Sequence, residues 1–317
     1  MKNWHYSLLV AALGALALAI GCSSPQEETQ EDPQAKAPVI PTEAGKHTVA
    51  FEHGGIARQF VLMLPSTYDG KTPMPLVLIC HGNGETAESF SKQRTTLTRR
   101  ANKEGWILVF PLATLNRQGK TTWNPTATPE PAGAVWDLVP NDAGFLLTAL
   151  DYLEDQLAVA AGRTYVAGFS GGGRMTHHMA STYPERFAAA APISTTITYP
   201  VVGGTEQLST GTPKAPLPML TAHGGKDPSL PIAGSATVSS FDDAIEQWVT
   251  ANGCAMTPTT QSIAGDTVHL ATYGDCTNGA EVIAITLDNM GHTWPDPVAL
   301  LGWDASIAML DFFEAHP

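Results

Sequence analysis

A chain of 317 residues, 43% hydrophobic and 15% charged, carries enough apolar mass to bury a large core, and one folded domain is its simplest reading. Its formal net charge of -13, with no run of Lys or Arg, excludes nucleic-acid binding through the phosphate backbone, which depends on basic clusters. Residues 1–21 then open the chain with one early Lys, an apolar stretch from Leu8 to Ile20 and small residues before Cys22, the pattern of an export signal. That stretch falls short of the roughly 20 residues of a comfortable membrane span, and no other follows it.

Ala19-Ile20-Gly21-Cys22 resembles a bacterial lipobox, with Ala19 where Leu is usual. The resemblance implies a lipoprotein signal peptide over 1–21 and lipidation of Cys22, and hence an exported protein held on a bacterial cell envelope by its N-terminal lipid. Ser23 in the next position points to the outer membrane if the host is Gram-negative. The alternative is ordinary signal cleavage that leaves a free Cys. Residues 22–46 are rich in Glu, Gln, Pro, Ala and Thr without apolar periodicity and read as a disordered tether. The folded domain is expected over 47–317.

Thr48 to Phe51 and Gln59 to Leu64 are β-prone runs separated by His53-Gly54-Gly55, which predicts a starting hairpin ended by Pro65. Leu76 to Cys80 and Trp106 to Phe110 are continuous apolar runs of the kind buried on both faces of a parallel sheet. Phe90, Leu97 and Ala101 recur at helical spacing between them, and a clearer helix is opened by Asn141-Asp142 and carries Phe145, Leu146, Leu150, Leu153 and Leu157. Further strands are predicted at Thr164 to Phe169, Ala188 to Ile193, Met219 to Ala222 and Val282 to Leu287, and further helices near Arg174 to Tyr183, Phe241 to Ala251 and Ala305 to Ala315. Strands alternating with helices predict a doubly wound, mostly parallel α/β domain. Asn116 to Pro140, with three prolines and Trp123 and Trp136 before its last Pro, reads instead as a long ordered loop.

Gly168-Phe169-Ser170-Gly171-Gly172 matches G-x-S-x-G directly after a predicted strand and before a predicted helix, the setting in which a strained turn presents a nucleophilic Ser. A Gly-rich anion-binding turn is the bland alternative, and it lacks a Lys in P-loop position. A serine hydroxyl needs a base, and the base an orienting acid, in the chain order Ser, acid, His. Among ten histidines, His292 lies in a loop after the last strand, whereas His177 and His178 share the helix after Ser170, His81 and His223 end strands in His-Gly pairs, and His269 lies in a probable strand. Asp227 follows the Met219 strand through His223-Gly224-Gly225-Lys226 and is the expected acid; Asp242 and Asp243 open a helix, and Asp266 and Asp275 look like turn residues. The amide of Gly171 is one expected oxyanion donor, with Asn83 as the second and Gly84 as its alternative. Neither a metal nor another cofactor is expected.

These residues make the sequence resemble, from about Gly54 to Pro317, the α/β-hydrolase esterases grouped with polyhydroxybutyrate depolymerases, feruloyl esterases and acetylxylan esterases. The marks are Pro75-Leu76-Val77-Leu78 leading to His81-Gly82, Asn141-Asp142-Ala143-Gly144-Phe145, Tyr165 to Gly172, His223-Gly224 with Asp227, and Gly291-His292-Thr293-Trp294-Pro295. The resemblance implies carboxylic-ester hydrolysis through an acyl-enzyme. Asn141 replaces a frequent Asp, Gly173 is an added glycine, and the loop 116–140 does not align, which leaves the substrate open. No polymer-binding module follows the last predicted helix, which favours small or soluble esters. Trp294 beside the base, with Trp136 and Trp123 from the loop, would wall an aromatic or sugar-bearing ester; equally, each would pack in the core. Rival readings are a serine peptidase on the same fold and a non-catalytic surface binding protein. Of the four cysteines, Cys22 goes to lipid and Cys80 to a buried strand, so Cys254 and Cys276 are expected to form a disulfide in an oxidising compartment.

Overall fold

Gly45–His53 (β1) and Ile56–Leu64 (β2) pair antiparallel from Gly45 opposite Leu64 to His53 opposite Ile56, forming the expected hairpin. This is a computed structural model that describes residues 37–127, 134–199, 207–208, 212–236, 238–296 and 302–317. The expected signal peptide and Cys22 lie outside the described residues. The expected boundary at residue 47 moves towards the N-terminus. Ile40 is buried, its N–H donates to Gln156 Oε1 at 3.1 Å, and Gln156 Nε2 donates to Pro38 O at 3.1 Å. One apolar side chain and two backbone contacts are enough to seat this Pro-containing segment, and composition alone does not reveal them.

Every residue of Met74–Cys80 (β3) is buried. Alternation sends Leu76, Leu78 and Cys80 into one apolar core and Val77 and Ile79 into another, as a strand covered on both faces requires. Two helices follow, Ala87–Gln93 (α1) and Thr95–Glu104 (α2), where the spacing of Phe90, Leu97 and Ala101 predicts one. The break falls at Arg94, whose ψ of 56° is not helical. Its guanidinium sits over the Phe90 ring, 4.5 Å from the centroid. Ile107–Pro111 (β4) returns parallel to β3, and the small hairpin Thr114–Leu115 (β5) with Thr121–Thr122 (β6) opens the expected loop.

Asp142–Gln156 (α3) starts where the side chain of Asn141 accepts the Gly144 N–H, and Val159–Phe169 (β7) then enters the centre of the sheet beside β3. Gly171–Thr182 (α4), Ala189–Ile193 (β8), the short strands Thr198–Tyr199 (β9) and Gln207–Leu208 (β10), and Met219–Gly224 (β11) follow. Phe241–Ala251 (α5), Thr259–Ile263 (β12), Val268–Tyr273 (β13), Val282–Leu287 (β14) and Ala305–Ala315 (α6) complete the order. The main sheet runs β1-β2-β4-β3-β7-β8-β11-β14-β13-β12, with β4, β3, β7, β8, β11 and β14 parallel. The flanking pairs β1 with β2 and β12 with β13 are antiparallel wings.

Helices cover both faces. Phe145, Leu146 and Leu150 of α3, Met175 and Met179 of α4 and Trp248 of α5 fill one core, and Phe90 of α1, Leu97 of α2 and Phe313 of α6 fill the other. Full burial of a side chain of this size contributes roughly 1.5–3 kcal/mol, so these layers supply most of the favourable free energy. Cys254 and Cys276 are joined as a disulfide across the segment from α5 to the far wing, while Cys80 is free and buried.

Among the described residues, an arginine–carboxylate pair lies fully inside. Arg58 of β2 and Asp142 of α3 meet at 2.6 Å, each almost without solvent exposure, while Asp142 Oδ2 also accepts the Asn124 N–H at 2.6 Å and Arg58 donates to Leu112 O at 3.2 Å. Burial raises the pKa of Asp142, against the pull of Arg58 and the Asn124 amide. Removing one partner strands the other charge, so Asp142→Ala is expected to lower unfolding free energy by about 3–5 kcal/mol in urea titrations. A loss below about 1 kcal/mol would mean the pair does not organise this junction.

Candidate active site

Ser170 connects β7 to α4 with φ 54° and ψ -115°, a backbone conformation that side-chain-bearing residues rarely adopt. Its surroundings hold it there. Ser170 N donates to Ile193 O at 3.0 Å, Arg174 N donates to Ser170 O at 3.1 Å, and Thr195 Oγ1 donates to the same carbonyl at 2.9 Å. The turn lifts the hydroxyl off the sheet towards the loop after β14. There His292 Nε2 lies 2.8 Å from Ser170 Oγ, and His292 Nδ1 lies 2.7 Å from Asp227 Oδ2.

Asp227 is buried at the carboxyl edge of β11, where its second oxygen accepts the amides of Ser229 and Leu230, each at 2.8 Å. Burial works to raise its pKa, but the hydrogen bond from His292 and the amides of Leu230 and Ser229 outweigh it and hold the carboxyl below its usual value. A carboxylate so held fixes His292 with Nδ1 protonated, leaving Nε2 to accept from Ser170. His223, also buried, braces the same turn by donating from Nε2 to Leu230 O at 2.8 Å. Ser194 Oγ donates to Thr293 O at 2.9 Å and steadies the loop of His292. Neither contact has a spacing signal in the sequence beyond the His-Gly pair at the end of β11.

The loop after β3 pairs the N–H groups of Gly82, Gly84 and Glu85. Trp123 Nε1 donates to His81 O at 2.7 Å, Gly82 N donates to Glu85 Oε2 at 2.7 Å, and Gly84 N donates to Thr121 O at 2.8 Å. His81 Nε2 accepts the Ala113 N–H at 3.1 Å, which fixes the proton on Nδ1, and Nδ1 donates to Gly82 O at 2.8 Å. The Asn83 N–H has no protein acceptor among the described residues. Gly84, the alternative donor, is committed to Thr121. Gly171 begins α4, where an N–H has no partner within its own helix, and it lies directly against Asn83: a Cβ on Gly171 would come within 2.2 Å of Asn83 Oδ1. Two uncommitted amides therefore flank Ser170.

The three tryptophans do not wall this site. Trp123, Trp136 and Trp294 are 3%, 5% and 1% exposed, which favours the core-packing reading of the two weighed for them over the pocket-lining one. Trp294 packs edge-on against Phe90 and donates from Nε1 to Ser306 Oγ at 3.2 Å, and Trp123 is spent on the His81 carbonyl. Large indole rings gain more from burial than from a half-wet rim. Phe169 is the ring that lies against His292, at 5.1 Å between centroids. Of the other histidines, His177 accepts from Trp248 Nε1 at 3.0 Å inside the core, and His269 lies on β13 within 3.1 Å of Asp288. Asp266 and Asp275 sit at positive φ in turns, and Asp243 closes a capping box with Ser240 at the start of α5.

A parallel sheet covered by helices on both faces, with a serine on the turn after its central strand, is an α/β-hydrolase. The pattern of the phospholipase/carboxylesterase family matches residues 68–260, more than half of the chain, and the chain belongs to that family. A Nocardia uniformis relative named as an esterase is 26% identical over 244 residues, 70% of this chain and 65% of its own length. Feruloyl esterase B of Piromyces equi is 24% identical over 261 residues, 78% of this chain and 44% of its own length. The chain thus spans only part of these curated relatives. Among solved structures, acetyl xylan esterase from Aspergillus awamori has a TM-score of 0.57 at 16% identity, with 87% of this chain and 98% of that chain covered, a likeness of fold.

Burial lowers the pKa of His81 to about 4 and that of His177 to about 3. Folding therefore excludes protons that the unfolded chain takes up below its imidazole value of about 6.5, so this stability is complete above that pH and is lost as pH falls towards 4 and 3. The loss at the acid limit is on the order of 3 kcal/mol for His81 and about 5 kcal/mol for His177. Urea titrations from pH 7 to 4.5 are expected to show stability falling with a slope that approaches two protons taken up on unfolding. A flat profile would show that these rings are not neutral and buried.

Proposed function

We propose that the chain hydrolyses carboxylic esters through an acyl-enzyme on Ser170. The observation that carries this reading is the unbroken chain from Ser170 Oγ to His292 at 2.8 Å and on to Asp227 at 2.7 Å, beside the uncommitted amides of Asn83 and Gly171. Ser170 Oγ attacks the ester carbonyl carbon while its proton passes to His292 Nε2. The carbonyl oxygen becomes an oxyanion that accepts from Asn83 N and Gly171 N, each donor contributing roughly 3 kcal/mol in such sites. Collapse breaks the carbon–oxygen bond to the alcohol, which leaves with the proton from His292. Water then repeats the sequence on the acyl group, giving its proton to His292, and releases the acid with Ser170 restored. Asp227 stays ionised throughout and stabilises the imidazolium.

The substrates fall in the class of small or soluble feruloyl, acetyl or hydroxyalkanoate esters. Support comes from the names of the Piromyces equi relative and the Aspergillus awamori neighbour. With the tryptophans buried, an aromatic cage gives no support to the feruloyl choice over the others. Export with a lipid on Cys22 is part of the same reading. The N-terminal pattern supports it, and a Cys254–Cys276 bridge suits an oxidising compartment.

A panel of nitrophenyl, feruloyl and acetylated-sugar esters tests the activity. Ser170→Ala is expected to abolish turnover, Asp227→Asn to lower kcat by about 10⁴ while remaining folded by circular dichroism, and Gly171→Ala to lower it about a hundredfold by displacing Asn83. Wild-type turnover in a folded Ser170→Ala protein would end the acyl-enzyme reading. For the anchor, Cys22→Ala is expected to move the protein from the membrane fraction to the soluble one. Identical partitioning of both forms would remove the lipid.

A further inference from the structure

Glu85 stands outside the chain from Ser170 to Asp227, yet it holds the loop that carries Asn83. Gly82 to Glu85 form a turn closed by Glu85 N donating to Gly82 O at 3.1 Å. Gly84 has φ 86°, the sign that the third residue of a type II turn requires. The Glu85 side chain then folds back across the turn, where its Oε2 accepts Gly82 N at 2.7 Å. A Cβ on Gly82 would meet that oxygen at 2.8 Å, so the carboxylate is packed on backbone.

Two successive peptide units are thereby held. In the unit joining His81 to Gly82, the carbonyl accepts Trp123 Nε1 and the N–H donates to Glu85. In the unit joining Gly82 to Asn83, the carbonyl accepts both His81 Nδ1 and Glu85 N, and the N–H is the uncommitted one. A carbonyl that accepts hydrogen bonds polarises its own peptide and makes the opposite N–H a stronger donor. The carboxylate contact is the side-chain link that holds the first of these units at its N–H end.

We propose that Glu85 is a positioning residue whose carboxylate, by holding the Gly82 N–H, aims the following Asn83 N–H at the oxyanion. The proposal rests on the ester-hydrolase reading above. By charge alone, a carboxylate beside a developing oxyanion opposes the reaction. Burial raises the pKa of Glu85, while the Gly82 amide, Arg94 and His292 favour its ionised form. What the turn requires is an acceptor oxygen, which an amide side chain also provides.

The test compares Glu85→Ala and Glu85→Gln in the full chain, by kcat and KM on a nitrophenyl ester and by the rate at which a fluorophosphonate labels Ser170, since its phosphoryl oxygen occupies the same amides. Glu85→Ala is expected to lower kcat and the labelling rate about tenfold, with KM within twofold and thermal unfolding little changed. Glu85→Gln is expected to restore both rates to wild type or above. Equal rates in Glu85→Ala and wild type would overturn the positioning role, and so would a Glu85→Gln protein as slow as Glu85→Ala. A wild type that is labelled but hydrolyses no ester overturns the function reading alone, since the labelling rates still decide the role of Glu85. A wild type neither labelled nor active overturns both.

Discussion

The backbone of Ser170 is the constraint from which the rest follows. Holding a non-glycine residue at φ 54° and ψ -115° costs roughly 1–3 kcal/mol, and such a conformation persists only where its neighbours over-determine it. Here the neighbours are β8, through Ile193 O, the hydroxyl of Thr195, and α4, whose first turn starts at once. Each of these is itself set by the parallel sheet. Were the turn to relax, the hydroxyl would leave His292, and the carboxyl edge would lose the feature around which its loops converge.

That convergence explains which parts of the molecule are legible in sequence. Strands buried on both faces are written as unbroken apolar runs, so β3 and β4 are readable from their residues, β14 is readable although Thr286 interrupts its apolar run, and α5 and α6 run between the residues expected of them. The local surroundings of Ser170 are readable because glycines and a strand-to-helix transition leave a pattern within five residues. The pairing of His292 with Asp227 is readable only through chain order and the position of each after a strand. The β1–β2 wing is readable from its Gly-Gly turn between two β-prone runs, whereas β12 is not, because Thr259–Ile263 is almost wholly polar and exposed. The break at Arg94 is hidden for another reason: Phe90, Leu97 and Ala101 keep helical spacing across it, while the deciding contact is a cation over an aromatic ring.

The tryptophans mark the limit of reading function from residue type. Proximity in sequence to His292 says nothing about which way the Trp294 ring turns, and the turn is decided by Phe90 and Ser306 from other elements. Trp123 has a different part, since its indole N–H is tied to the loop of Asn83. Thr121 reaches the same loop through its own carbonyl. The segment after β4 is therefore scaffolding for one side of the site, and its anchor is the Asp142 carboxylate that receives Asn124 N and Arg58 together. A side chain at the start of α3 thus influences a peptide group two elements away through a chain of named hydrogen bonds.

The seating of Ile40 beside Gln156 fixes where the chain enters the domain. Gln156 ends α3, just ahead of β7, whereas Ser170 follows the last residue of that strand. β7 runs alongside β3 from Val159 opposite Met74 to Gly168 opposite Cys80, six residue steps of β3 at about 3.3 Å each, so its two ends lie roughly 20 Å apart at opposite rims of the sheet. The loops that carry Asp227 and His292 therefore leave the sheet at the rim away from the chain's entry, and changes in their length leave the seat of Ile40 untouched.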